Sequence, residues 1–435
     1  MSINEIPVAE RLTGPALIMP DLQERLRADF REALRGWWPD PFGPYFLERY
    51  GIDLEASYGG RSIPHPFGKG SGQLTMTSGQ VREAAEAGLA FVVLKTVIGE
   101  DSSGQRSMGA WATDDTRMVV EPITGRSERT GWTVSWKGRG WGKSFEDYLE
   151  LCEDSFRTMA ESGMVVAPSA KLHLPAKPDE PWRTAEYDHV LGHITTVWKR
   201  SCNPGHMPFE KDFSPTLAGD DRTKSQESLI RWLTEIVPKI KSSDSDSISV
   251  GLKLMNVVGP LELQHRILET VLNLKDERKP DFLIYANRLF DADRNFENHR
   301  GIAYGGPDLS DRNITVLADH QTSIRDSGLD ISATGDVDSG RCAVEYALRG
   351  CSSAQLHTLF QVPLSLPCEA TVGRVRRVLA KLIFDPEDGL AAWLTHARMH
   401  WGLIDSRGFA AWKELGGLEI SADRYRQDFQ TRSPQ

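Results

Sequence analysis

Three kinds of feature are scarce in this chain of 435 residues, and each scarcity narrows what it can be. Cysteine is one: Cys152, Cys202, Cys342, Cys351 and Cys368 are widely spaced, odd in number and without a CxxC pair. That argues for reduced thiols and against a zinc ribbon or an iron–sulfur domain. Basic charge is another. Lys and Arg number 51 against 61 Asp and Glu, a formal charge of -10, and no block of Lys and Arg stands out, so nothing favours nucleic acid as a partner. Long apolar runs are the third: none reaches about 18 residues, and the opening MSINEIPVAERL carries acids instead of an apolar leader. A cytoplasmic protein without stable membrane insertion is expected.

What is present is an ordinary globular composition, 40% hydrophobic and 26% charged, enough for a sizeable core. Residues 21–38 place Leu22, Leu26, Phe30, Leu34 and Trp38 four apart, one stripe of an amphipathic helix. A face packed on the body accounts for it better than a membrane-surface helix. From about residue 52 short apolar runs alternate with helix-period stretches. Candidate strands lie at 66–72, 90–95, 164–170, 208–213, 248–254, 281–287, 329–335 and 353–358, and candidate helices between them at 77–88, 225–240, 259–274 and 340–350. Strands alternating with helices predict an α/β fold, a (β/α)8 TIM barrel, with an open doubly wound sheet as the competing architecture. The organisation expected is an N-terminal helical extension over 1–51, the barrel over 52–385 and a C-terminal helical tail over 386–435. Two long connections, 97–143 and 171–207, are expected as inserted cover loops that shape a pocket, the first with a hairpin inside 108–125.

In parallel barrels the reactive face lies at the C-terminal strand ends, with phosphate often held after strands seven and eight. Gly335 ends the seventh run and His357–Thr358 the eighth, and a helix starts near Ser339. A glycine there lets backbone N–H groups approach a phosphate, and the helix adds its positive end. A plain strand-to-helix turn would use the same residues. The stretch ISATGDVDSGRCAVEYALRGCSSAQLHT, 331–358, resembles the flavin mononucleotide (FMN) phosphate site of the dihydroorotate dehydrogenase family, with Gly335, Ser339, Gly340, Ala343, Glu345, Gly350, Gln355 and Thr358 in register. TMTSGQVREAAEAGLAFVVLKT, 75–96, looks like the first helix and second strand of dihydropyrimidine dehydrogenase. GLKLMN, 251–256, resembles the fifth-strand VKLxPN motif, and YGG, 304–306, the loop before strand seven. The resemblance covers about residues 52–360.

The resemblance implies an FMN-dependent oxidoreductase that moves a hydride between flavin and a small, polar, conjugated substrate. Lys95 and Lys253 would face the flavin, with Thr96 beside them; Ser71 and Gly72 would meet the ring through backbone; Gly306, Gly335, Asp336, His357 and Thr358 would surround the phosphate. Both lysines end hydrophobic runs, where an unpaired ammonium is costly, so a functional role outweighs a snorkelling surface lysine. A cation beside the flavin pyrimidine stabilises the reduced anion, which gives Lys95 a catalytic part.

Several positions depart from the pattern. Asp336 stands where the dehydrogenases have a second glycine, and its carboxylate would repel a phosphate unless it points away. At strand four FEKDFSPT keeps Glu210, puts Asp212 in place of a substrate-binding asparagine, and leaves Ser214 either as the acid/base or as a turn residue before proline. At strand six Asn287 is followed by Arg288, which could clamp an anionic substrate or pair with Asp212. Asp212, Asn287 and Arg288 are thus the candidate substrate contacts. Cys202, on a long loop, is a lesser acid/base candidate. The glycine-rich KGRGWGK and GKGSGQ lack the setting of a nucleotide fingerprint, and His65, His173, His206 and His357 lack metal-ligand spacing, so no metal is expected. The electron partner is undefined, and a homodimer stays open. Two other readings remain: a flavin-binding barrel that has lost redox chemistry, and a flavin-free phosphate-binding lyase or isomerase.

Overall fold

The computed structural model describes residues 6–7, 9–109, 117–137, 140–177, 179–201, 205–213, 226–244, 247–257, 259–296, 299–364, 366 and 368–430. Eight parallel strands close into a barrel. They are β1 (Phe67–Lys69), β2 (Phe91–Val93), β3 (Val165–Ala167, continued as Ser169–Lys171), β4 (Met207–Asp212), β5 (Ile248–Met255), β6 (Phe282–Asn287), β7 (Asp330–Thr334) and β8 (Ser353–Leu356). Each strand pairs with the next, and Leu356 of β8 faces Lys69 of β1, which closes the ring. Pro168 has no N–H to give the ladder, so β3 changes partners there. Its first half bonds β2; its second half bonds β4 and Val97–Ile98.

A helix follows every strand: α1 (Ser78–Glu86), α2 (Phe145–Ser162), α3 (Thr184–Arg200), α4 (Gln226–Asp244), α5 (Leu261–Leu272), α6 (Pro307–Asp319), α7 (Gly340–Ala347) and α8 (Arg374–Phe384). Local chemistry starts several of them. Thr77 with Gln80, and Ser144 with Asp147, form reciprocal capping boxes, and the Ser339 hydroxyl accepts from Cys342 N at 3.2 Å at the head of α7. An antiparallel pair, Ala56–Tyr58 with Arg61–Ile63, seals the N-terminal mouth of the barrel. Tyr58 stacks on Phe91 at 4.0 Å and its hydroxyl reaches inward to Glu210 Oε1 at 2.7 Å. The opposite mouth is therefore the open one.

The N-terminal helix spans Pro20–Ala33, ends before Trp38, and buries Leu26 and Ala33, as its stripe predicts. Two expectations need correction. The segment 171–207 is not a long cover: it contains α3, whose buried Tyr187, Val190, Leu191, Ile194 and Val197 repeat at helical spacing beneath a proline-rich approach. The first hairpin is not confined to 108–125; it pairs Arg117–Thr124 with Thr130–Lys137 around a turn at 125–129. A second hairpin, Leu289–Phe296 with His299–Tyr304, follows β6. It places Tyr304–Gly306 at the head of α6, so that helix and Gln321–Ser327 separate this motif from β7. No described helix is long and apolar enough to cross a membrane.

Candidate active site

Two adjoining hollows, of about 570 and 700 Å³, occupy the open mouth and share Asn287, Arg288, Thr334, Gln355, Leu356 and His357. The smaller one gathers Ser71, Gly72, Lys95, Thr96, Asp212 and Lys253 from the ends of β1, β2, β4 and β5. The larger gathers Gly306, Gly335, Asp336 and Thr358 under the first hairpin, whose Gly131 and Trp132 form one wall. The residues singled out in the sequence thus meet at one mouth, Ser214 and Cys202 excepted, which lie outside the described residues.

Cations dominate the smaller hollow. Burial, with Lys171, Lys253 and Arg288 nearby, pushes Lys95 down to about 8 against the pull of Asp212. Lys253 Nζ lies 3.9 Å from Glu210 Oε2 at the bottom of the hollow. Glu210 is fully buried; its Oε1 accepts from Tyr58 and from Gln355 Nε2, and burial raises its pKa while Lys253 opposes that. Asp212 Oδ2 receives Lys171 Nζ and the Thr96 hydroxyl, both at 3.2 Å. Thr96 Oγ1 also joins Ser71 Oγ at 2.8 Å and Ser169 Oγ at 3.0 Å, so a chain of hydroxyls runs from the rim to the carboxylate. Lys171 escaped the sequence reading although it ends MVVAPSAK, an apolar run of the kind that marked Lys95 and Lys253.

Arg288 is held at a positive φ of 25°, and its Nη1 donates to Val134 O of the first hairpin at 2.7 Å. One of its bonds therefore fastens a cover, a use that neither sequence alternative included. Burial lowers its pKa to about 9. Beneath it, Asn313 Nδ2 donates to Ala286 O and Thr334 O, both at 2.9 Å, and Asn256 N donates to Asn287 O at 2.9 Å. Asn256 Nδ2 in turn reaches Asn313 Oδ1 at 3.1 Å, so a buried amide pair ties the ends of β5, β6 and β7 together. A satisfied network of this kind fixes strand ends whose side chains face the hollow.

In the larger hollow, Gly335 stands at φ 129° and Gly306 at φ 94°; a Cβ on Gly335 would lie 2.8 Å from Leu309 Cγ. Only glycine leaves that cradle open. The Asp336 carboxylate turns out of it, bonded to Ser310 Oγ at 3.0 Å and Arg129 Nη2 at 3.4 Å. Burial and Asp338 raise its pKa to about 7, against Arg129 and Arg11. His357 accepts at Nδ1 from Gln361 Nε2, 3.0 Å away, and burial among Arg288, Lys95, Lys253 and Lys69 drives it down to about 3. It is neutral, and its Nε2 has no hydrogen-bond partner among the described residues. That nitrogen sits 2.2 Å from where a Cβ on Gly72 would be. A buried donor left open beside a glycine is costly unless a ligand oxygen meets it. A ligand that presents acceptor or anionic oxygens fits the donors and cations present. Among the described residues no group of three or more His, Cys, Asp or Glu gathers to hold a metal.

No family model matches the chain, and no curated protein does. Among solved structures, the DHODH of Eimeria tenella in complex with ferulenol is similar in fold, with a TM-score of 0.50 over 79% of this chain and 87% of that one at 12% identity. The likeness supports the barrel and extends no further than the fold.

Proposed function

We propose that the chain is an FMN-dependent oxidoreductase acting on a small, polar, conjugated substrate. The observation that carries this is the convergence of Lys95, Lys253 and the unmet His357 Nε2 on the hollow that adjoins the Gly335 cradle and the head of α7. Gly306, Gly335, the Asp336 N–H and Thr358 would hold the flavin phosphate. Ser71, Gly72, Lys95, Thr96 and Lys253 would hold the ribityl chain and ring, and His357, expected at the phosphate, lines both hollows with its Nε2 beside Gly72. FMN, when bound, supplies the hydride acceptor or donor. Lys95 and Lys253 set its electrostatics: fixed cations in a water-poor hollow favour the anionic reduced ring. Asp212, Asn287 and Arg288 orient the substrate, and Ser214 serves as the acid/base that carries the accompanying proton.

The Lys171–Asp212 pair favours a second reading, a flavin-binding barrel without turnover, because it engages the residue that replaces the usual substrate-binding asparagine. The visible absorption spectrum of the purified protein, followed by release and identification of the chromophore, tests both. FMN bound in near-equal amount and bleached by a conjugated substrate under anaerobic conditions supports the oxidoreductase. FMN bound but never bleached supports the second reading. A protein that takes up no FMN leaves a flavin-free barrel.

A further inference from the structure

The first hairpin forms a two-stranded sheet of its own, outside the barrel ladder. Polar contacts fasten its turn, while along its strands Val134 is buried, Ile123 packs against the Leu289, Tyr304 and Leu309 cluster, and Val120 and Trp132 pack against the main core. Arg126 N donates to Asp308 Oδ1 at 2.7 Å, the Ser127 hydroxyl donates to Asp311 Oδ2, and Arg129 Nη1 meets Asp311 Oδ1 at 2.8 Å. Further along, the Thr133 hydroxyl accepts from Gly305 N at 3.0 Å, and Val134 O accepts from Arg288. The backbone lies so close to α6 that a Cβ on Gly125 would fall 2.8 Å from Asp308 Oδ1 and one on Gly131 2.9 Å from Pro307. A two-stranded element docked outside the barrel ladder opens more readily than the strands beneath it.

Charge explains why the turn carries Arg129. Asp336 puts a carboxylate beside the glycine cradle, and Arg129 reaches across from the hairpin to meet it while also holding Asp311. The same hairpin presents Gly131 and Trp132 to the cradle. We propose that this hairpin is the latch on the phosphate end of the cofactor site. Arg129 neutralises Asp336 and keeps Trp132 closed over the cradle, so a bound flavin phosphate leaves only when the hairpin lifts. Arg129 is a positioning residue here, and the proposal rests on the flavin reading above.

The test is the rate at which the intact protein, loaded with FMN, releases it into buffer containing apoflavodoxin or another flavin scavenger, followed by flavin fluorescence. Arg129→Ala is expected to release FMN about tenfold faster or more, as loss of one partner of a desolvated charge pair acts mainly on dissociation. Gly125→Ala, which wedges the turn off α6 without touching a charge, is expected to do the same. Neither should move the flavin midpoint potential, because the latch is remote from the ring. In an Asp336→Gly background the Arg129→Ala effect should shrink, whereas a merely structural arginine would keep its full effect there. Release at the wild-type rate from both Arg129→Ala and Gly125→Ala overturns the latch alone. A wild-type chain that binds no FMN overturns the flavin reading and the latch together.

Discussion

Lys95 is the lysine of the smaller hollow whose charge burial perturbs. Its pKa of about 8 lies below the ordinary lysine value near 10.5. Folding therefore favours its neutral form relative to the unfolded chain, although the ammonium still predominates below about pH 8. The cost of burying the charge is present below about pH 8 and is relieved as pH rises from there toward the unfolded value. An anion bound beside it reverses that preference, and in the reading above that anion is the reduced flavin ring. Affinity for reduced FMN should then fall as pH passes roughly 8, by up to about tenfold per pH unit, and Lys95→Met should flatten the profile. If binding of reduced FMN is equally steep in the variant, another group is responsible. Redox behaviour gives a second readout: replacing either Lys95 or Lys253 by Met is expected to lower the two-electron midpoint of bound FMN by about 30–60 mV, the equivalent of one charge-assisted hydrogen bond. His357, already neutral down to about pH 3, contributes no step between pH 5 and 8 by this account. Gly335→Ala should weaken FMN binding by at least about tenfold, from a Cβ crowded against Leu309 and a φ of 129°, while circular dichroism stays unchanged.

Among the elements, the ends of β5, β6 and β7 are joined by Asn256 and Asn313 as well as by their ladders. Asn313→Ala would leave the carbonyls of Ala286 and Thr334 without that donor in a dry interior. A loss of about 2 kcal/mol in unfolding free energy is expected, read by urea titration, together with weaker flavin binding; full stability would show that water replaces the amide. The strands themselves were legible, because apolar runs such as AFVVLK and DFLIYAN end in polar residues that the barrel turns toward its mouth. Lys95, Lys253 and Gly335 were legible for the same reason. The amide pair was not: Asn313 sits mid-helix in α6, where sequence shows only a polar residue on an ordinary helix. Nor was Arg129, since a turn arginine looks solvated until the hairpin's docking on α6 is known. The hairpin strand Thr130–Lys137 was missed although Trp132, Val134 and Trp136 alternate, because glycines on both sides suggested a loop.

On the scale of the whole molecule, both described ends of the chain are fastened beside α7. Arg11–Leu12 pairs with Phe429–Gln430, Leu12 N donates to Glu345 Oε1 at 2.8 Å, and Arg11 Nη2 meets Glu345 Oε2 at 2.7 Å. Phe429 stacks on Tyr425 at 4.3 Å and leans on Trp401. Phe429→Ala is expected to destabilise the fold by about 2–4 kcal/mol and, through α7, to loosen the phosphate end as well; a shift in unfolding midpoint with unchanged flavin release would separate the two effects. The closed barrel was foreseeable from the alternation of strands and helices, but the exchange of partners within β3 was not, because no local pattern announces that Pro168 redirects it from one neighbour to the other.

The paired charges inside the barrel carry a consequence for inheritance. Lys171 is fully enclosed and Asp212 nearly so, at 3.2 Å from each other. Loss of either alone removes the nearest counter-charge from a buried group, and that costs stability. Descent with modification should therefore pass through both positions together: lineages that keep a lysine at 171 should keep an acid at 212, and those that restore an amide at 212 should carry an uncharged residue at 171.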